Sequence, residues 1–143
     1  MARSGALAID RAEEIAHAWI NELGDYLNWS DDKRIFGLLR ATLHAIRDFL
    51  SVEEAAQLAA QLPVLIRGVY FEGWNPTLNP ARPRHLDAFL GRILEKFPLD
   101  RVRDREAAVA AVIRLLGRHV SPGEMSDVRQ AMRKDMRFLF PEA

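Results

Sequence analysis

The feature that most restricts this chain is a recurrence. One ungapped shift of 70 positions superposes three successive amphipathic patterns. It pairs Trp19, Leu23 and Leu27 with Phe89, Ile93 and Phe97, and Leu39, Leu43, Ile46 and Leu50 with Val109, Ile113, Leu116 and Val120. It then pairs Leu58, Leu62, Ile66 and Val69 with Val128, Met132, Met136 and Leu139, and Tyr70 with Phe140. Within each set the apolar residues recur three or four apart, which puts them on one face of an α-helix. Ser51 and Glu54 match Ser121 and Glu124 at the same shift, so a capping-box helix start is repeated along with the pattern. Any two amphipathic helices align at some shift; three of them with a shared start signal point to duplication. The expectation is an all-α fold: a compact six-helix, bundle-like domain made of two degenerate three-helix repeats. Repeat one covers 10–71, a linker loop 72–83, and repeat two 84–140, within a single domain of residues 1–143.

The helix boundaries follow from caps and prolines. Residues 1–9 read as a frayed lead-in to a helix capped by Asp10, with Glu13 at the third helical position. Ser30 reads as the cap of a second helix that runs to about Leu50. Ser51 starts the third helix, and Pro63 inside it removes a donor and clashes with the preceding turn, so a kink or short break is expected before a turn or two through Tyr70. Residues 72–83 hold three prolines and no helical period, which reads as loop. Pro83 suits the first position of the fourth helix, and Pro98 ends it. Asp104 opens the fifth helix. Ser121-Pro122-Gly123-Glu124 opens the sixth, which is read through to Phe140.

Composition excludes several functions. There is no cysteine among the 143 residues, which removes disulfides, thiolate catalysis and cysteine metal sites and fits a reducing compartment. Twenty basic and twenty acidic residues leave a formal charge of zero, so no global pull on nucleic acid or anionic lipid exists. The N-terminal apolar run is too short for a signal peptide, and no stretch approaches the roughly 20 apolar residues of a membrane span. The expected location is the cytoplasm.

The candidate chemistry is sparse. Glu14 and His17 form one half of a carboxylate-bridged di-iron signature, but no second pair accompanies them, so they read as a solvated helix face and no metal is expected. Arg40, His44, Arg47 and Asp48 form a polar ridge on the second helix; an Asp–His pair there suits general acid–base work, yet no nucleophile accompanies it, and a surface hydrogen-bonded pair is the simpler reading. Arg129, Arg133 and Arg137, with Lys134, form a basic stripe near a helix C-terminus, where cations are favoured anyway. The segment from Arg67 to Pro76 is different: Tyr70, Phe71 and Trp74 fall close together, flanked by Gly68, Gly73 and Pro76. Such aromatics either fold back to plug the seam between the halves, the favoured reading, or anchor a partner together with Arg67. Arg67 then pairs with Glu72 or with a helix end. Phosphate loops, nucleophile elbows, zinc spacings and dinucleotide fingerprints are all missing.

The run LLRATLHAIRDFLSVEEAAQLAAQLPVLIRGVYFEGWNP, from Leu38 to Pro76, with the late Gly123-Glu124-Met125-Ser126-Asp127-Val128-Arg129, resembles the hallmark of the bacterial family catalogued as domain of unknown function 2267. The likeness extends from about Ala12 to Phe140. One departure is that Ala131-Met132-Arg133 lacks the Leu-Pro that members often carry after the last motif. The resemblance implies a helical fold and no particular activity. The reading is therefore a non-catalytic protein-interaction or assembly module, through Arg67, Tyr70, Phe71 and Trp74, acting on an unidentified protein partner or by self-association. No cofactor or membrane is expected, and nucleic acid is disfavoured. The alternative is a small-molecule or cofactor binder with its pocket between the repeats, near Pro63 and the His44 ridge.

Overall fold

The computed structural model describes residues 2–98 and 104–141. Among these the chain is all-helical, with no strand. The α-helices are α1 (Ala2–Leu27), α2 (Asp32–Phe49), α3 (Val52–Ala60), α4 (Val64–Phe71), α5 (Leu86–Lys96), α6 (Arg105–His119) and α7 (Pro122–Ala131); Pro76–Leu78 and Lys134–Leu139 are 3-10 helices.

The first helix begins well before Asp10. That residue lies exposed inside α1 and caps nothing. The Ala-rich run from Ala2 to Ala12 holds no helix-stopping residue after Gly5, so the helix propagates through it. Its end is a Schellman motif: Asn28 takes φ 58°, and the Trp29 amide reaches back to the Gly24 carbonyl at 3.0 Å. Gly24 also packs tightly against α2; a Cβ there would lie 2.8 Å from the Ile35 Cδ1.

Helix α2 is the central element and packs against α1, α4, α5 and α6. Its cap is Asp31, whose carboxylate accepts from the Lys33 and Arg34 amides. Ser30 stands one position too early to reach them. Leu39, Leu43, Ile46 and Leu50 are fully buried, as are Val109, Ile113 and Leu116 of α6, and Phe89 and Ile93 of α5. Two interhelical guanidinium–carboxylate pairs border this core, and His119 of α6 also contacts Glu22 at 2.9 Å. Asp48 of α2 meets Arg92 of α5 at 3.1 Å, and Arg118 of α6 meets Glu22 of α1 at 3.5 Å.

Ser51 caps α3 with the full reciprocal capping box to Glu54. The break at Pro63 is sharp: α3 ends at Ala60, and Pro63 stands at the N-cap of α4. The sixth expected helix does not run to Phe140. It stops at Ala131, and the chain re-forms as a 3-10 helix from Lys134. No proline is needed, because Arg137 folds back and donates to the Met132 carbonyl at 3.1 Å and the Gln130 carbonyl at 3.3 Å, satisfying the carbonyls that a helix end leaves free. The turn brings Met132, Met136, Leu139 and Phe140 into the core. At the start of α7 Ser121 accepts from the Glu124 amide, but its own amide donates to Gln61 Oε1 at 2.8 Å rather than to Glu124.

The 72–83 segment is a structural cap. Asn79 Nδ2 donates to the Arg47 and Leu50 carbonyls at 2.7 and 2.9 Å, and the Ala81 amide to the Asp48 carbonyl at 2.7 Å. Arg84 adds the Phe49 carbonyl at 3.0 Å. All four carbonyls at the end of α2 are thereby satisfied. Helix α5 then starts at Leu86 with His85 as its cap, Nδ1 accepting from the Ala88 amide at 3.3 Å. Pro83 lies three residues upstream and is not its first residue.

Candidate functional site

The polar ridge of α2 stands over the C-terminal end of α4. His44 Nε2 donates to the Val69 carbonyl at 2.7 Å. Arg47 NH1 donates to the Tyr70 and Glu72 carbonyls at 2.9 and 2.8 Å. Arg40 pairs with the Glu72 carboxylate at 3.1 Å. Cations and donors at this position answer both the free carbonyls and the negative end of the helix dipole.

Arg47 is only 5% exposed, and its Nε donates to Asp48 Oδ1 at 2.8 Å. Asp48 gives its other oxygen to Arg92, which also lies over the Phe49 ring, 5.9 Å from the ring centre. The acid–base pairing of His44 with Asp48 does not form, because two guanidiniums take the carboxylate and a backbone carbonyl takes the imidazole. Burial lowers the pKa of His44, and the positive Arg47 and Arg40 lower it further, against the Val69 hydrogen bond and Glu72. His44 is therefore neutral at pH 7, with its proton on Nε2 and Nδ1 bare.

Beyond the ridge the surface opens into a cleft of about 620 Å³. Gly37, Ala41 and Ala45 of α2 form its floor. Arg40, His44, Glu72 and Gly73 line one side; Arg92, Glu95 and Lys96 of α5 line the other. Gly73 takes φ 64°, which turns the chain out of α4 beside the cleft. Arg92, Glu95 and Lys96 were not singled out by sequence reasoning, and Glu72 was named only as a partner for Arg67. One signal for Arg92 was present: the 70-residue shift sets Asp48 on Arg118 and Glu22 on Arg92, two sign-reversed positions that suit paired partners.

The aromatic segment is not a free anchor. Arg67 donates through Nε to the Ala59 carbonyl at 2.8 Å and through NH2 to the Leu62 carbonyl at 2.8 Å, capping α3; the helix end, not Glu72, is its partner. Tyr70 is fully buried, with its hydroxyl donating to the Ala55 carbonyl at 2.9 Å, and burial raises its pKa so that it stays protonated. It cannot meet a partner. Phe71 packs between Tyr70 and Trp74, with ring centres 5.3 Å apart in each case. Trp74 Nε1 donates to Asn79 Oδ1 at 2.8 Å, which orients the amide that caps α2. Phe71 and Trp74 keep only partial exposure.

Two other candidates change character. The basic stripe is interrupted by the end of α7: Arg129 donates to the Phe140 carbonyl at 2.8 Å, and Arg137 caps α7. His17 lies in a second, apolar groove of about 470 Å³ between α1, α2 and α4, with Ile20, Phe36, Leu65 and Ile66. Among the described residues no group of three or more His, Asp or Glu gathers to hold a metal, and no helix is long and apolar enough to cross a membrane.

Residues 16–139 match the family described as uncharacterised conserved protein DUF2267. The chain belongs to this family. The DUF2267 match contains the ridge, the cleft and the aromatic segment, and it agrees with the resemblance carried by Leu38 to Pro76. No curated protein matches the chain.

Proposed function

We propose that this DUF2267 domain is a non-catalytic binding domain whose ligand site is the charged cleft between α2, α5 and the end of α4. The observation that carries this reading is the convergence of Arg40, His44, Arg92 and Lys96, from two helices, around an open volume of about 620 Å³ floored by small residues. Binding is favoured over catalysis because His44 is tied to a backbone carbonyl and Asp48 is neutralised by two arginines. Native mass spectrometry of the protein purified from its own host tests it. The expected result is an additional small-molecule mass, lost in Lys96→Gln. A clean protein mass, with no shift of Tm in a metabolite screen, would count against it.

A second reading, assembly through protein contacts, rests on the apolar groove, where Phe36 and Leu65 are 37% and 43% exposed, and on Leu7 and Ile9, exposed at 66% and 63% on α1, the helix that forms one wall of that groove. We favour self-association as its form, in a cytoplasmic protein. Leu65→Glu should then reduce any oligomer seen by light scattering.

We further propose that the domain is a duplication. Supporting this, the Arg67 cap of α3 recurs as the Arg137 cap of α7, 70 residues on and with equivalent acceptors, Leu62 and Met132. The packing of α2 on α5 likewise recurs as α6 on α1.

A further inference from the structure

The cleft contains an anion of its own. Glu72, the C-cap of α4, sets its carboxylate on the Arg40 guanidinium through two contacts, Nε to Oε1 at 3.1 Å and NH2 to Oε2 at 3.4 Å. The two side chains are 50% and 44% exposed, so water screens the pair and it is easily exchanged. Across the opening Arg92 spends only NH1 on Asp48, at 3.1 Å. Lys96 makes no hydrogen bond or ion pair among the described residues. Between these cations the floor carries no side chain larger than methyl.

We propose, building on the binding reading above, that the cleft takes a small oxyanion, a carboxylate or phosphate group, which replaces Glu72 on Arg40 and is held by Arg40, Arg92 and Lys96. The replacement is like for like. A guanidinium fork that receives one carboxylate accepts another planar or tetrahedral oxyanion in the same geometry. Glu72 is then a tethered competitor that keeps the site closed to weak anions. Glu95, on the same rim as Lys96, repels charge that extends past it and favours a compact ligand. Displacement frees only the Glu72 side chain, because its carbonyl stays on Arg47.

Calorimetric titration with inorganic phosphate and, in parallel, with succinate tests this on the full chain and on Glu72→Gln, Arg40→Gln and Lys96→Gln. All three side chains lie at the surface, and circular dichroism checks that each variant keeps the fold. Glu72→Gln should tighten Kd about two- to fivefold, the range expected on removing an exposed ion-pair competitor. Arg40→Gln should weaken it about tenfold, the loss of a charge-assisted bidentate contact, and Lys96→Gln should weaken it in the same direction. The probe with the larger tightening distinguishes phosphate from carboxylate. Equal affinity in Glu72→Gln and wild type, undiminished binding in Arg40→Gln, or no binding of either probe overturns the proposal. If neither probe binds but the host-purified protein carries a neutral or cationic molecule, the oxyanion class falls and the cleft as binding site survives. If neither probe binds and the mass is clean, both fall.

Discussion

Arg47 sits in a nearly closed site with acceptors around it: two carbonyls at the end of α4 and the carboxylate of Asp48. Replacing it with methionine fills the volume but takes this donor from both carbonyls and leaves Asp48 with Arg92 alone. Arg47→Met should lower the unfolding free energy by about 3 kcal/mol in urea titrations, whereas Arg40→Gln, at the exposed end of the same ridge, should change it by less than about 0.5 kcal/mol. His44 carries a pH dependence of definite sign. Its folded pKa lies below the ordinary 6.5 because burial opposes the charged form, with Arg47 and Arg40 adding to that. The unfolded chain therefore takes up the proton first. The contribution is fully present above pH 6.5 and is lost as pH falls through the folded value. Urea midpoints should drop more between pH 7.5 and 5.5 in wild type than in His44→Gln, which can still donate to Val69. An equal drop would remove His44 from the explanation.

Elements were legible in the sequence where the signal is local, and less so where a distant side chain decides. The capping box at Ser51, the break at Pro63 and the inward faces of α2, α5 and α6 follow from chemistry within a turn or two. The start of α1 was misplaced because Asp10 looks like a cap, although nothing before it stops the helix. The end of α7 was misplaced for the converse reason: Arg137, several residues downstream, supplies the donors that end it. The shift of 70 places Arg137 on Arg67, so the signal existed, but nothing local says that Arg67 caps α3 either. Arg67→Ala and Arg137→Ala should each cost about 1–2 kcal/mol through lost helix-end hydrogen bonds. The candidate site was half legible for the same reason. Its ridge lies on one helix and reads off the spacing; its opposite wall comes from α5, about 50 residues later, and depends on how two helices meet.

At the scale of the whole molecule, the duplication proposed above raises a question of partner choice. Helices α1 and α5 occupy corresponding places, one against α6 and the other against α2. A chain with interchangeable partners could seat either helix in either place, within one molecule or between two. The ion pairs Asp48–Arg92 and Glu22–Arg118 have opposite polarity. In the exchanged arrangement Glu22 would face Asp48, and Arg92 would face Arg118. The two pairs thus work as a keyed connector: each helix fits its own socket and is repelled by the other, a safeguard against swapped dimers. Reversing one key, with Glu22→Arg and Arg118→Glu together, gives both sockets the same polarity, at the cost of the His119 contact to Glu22 at 2.9 Å. After refolding at high concentration this double variant should yield more dimer by size-exclusion chromatography than wild type. An unchanged elution profile would mean that hydrophobic shape alone tells the two helices apart.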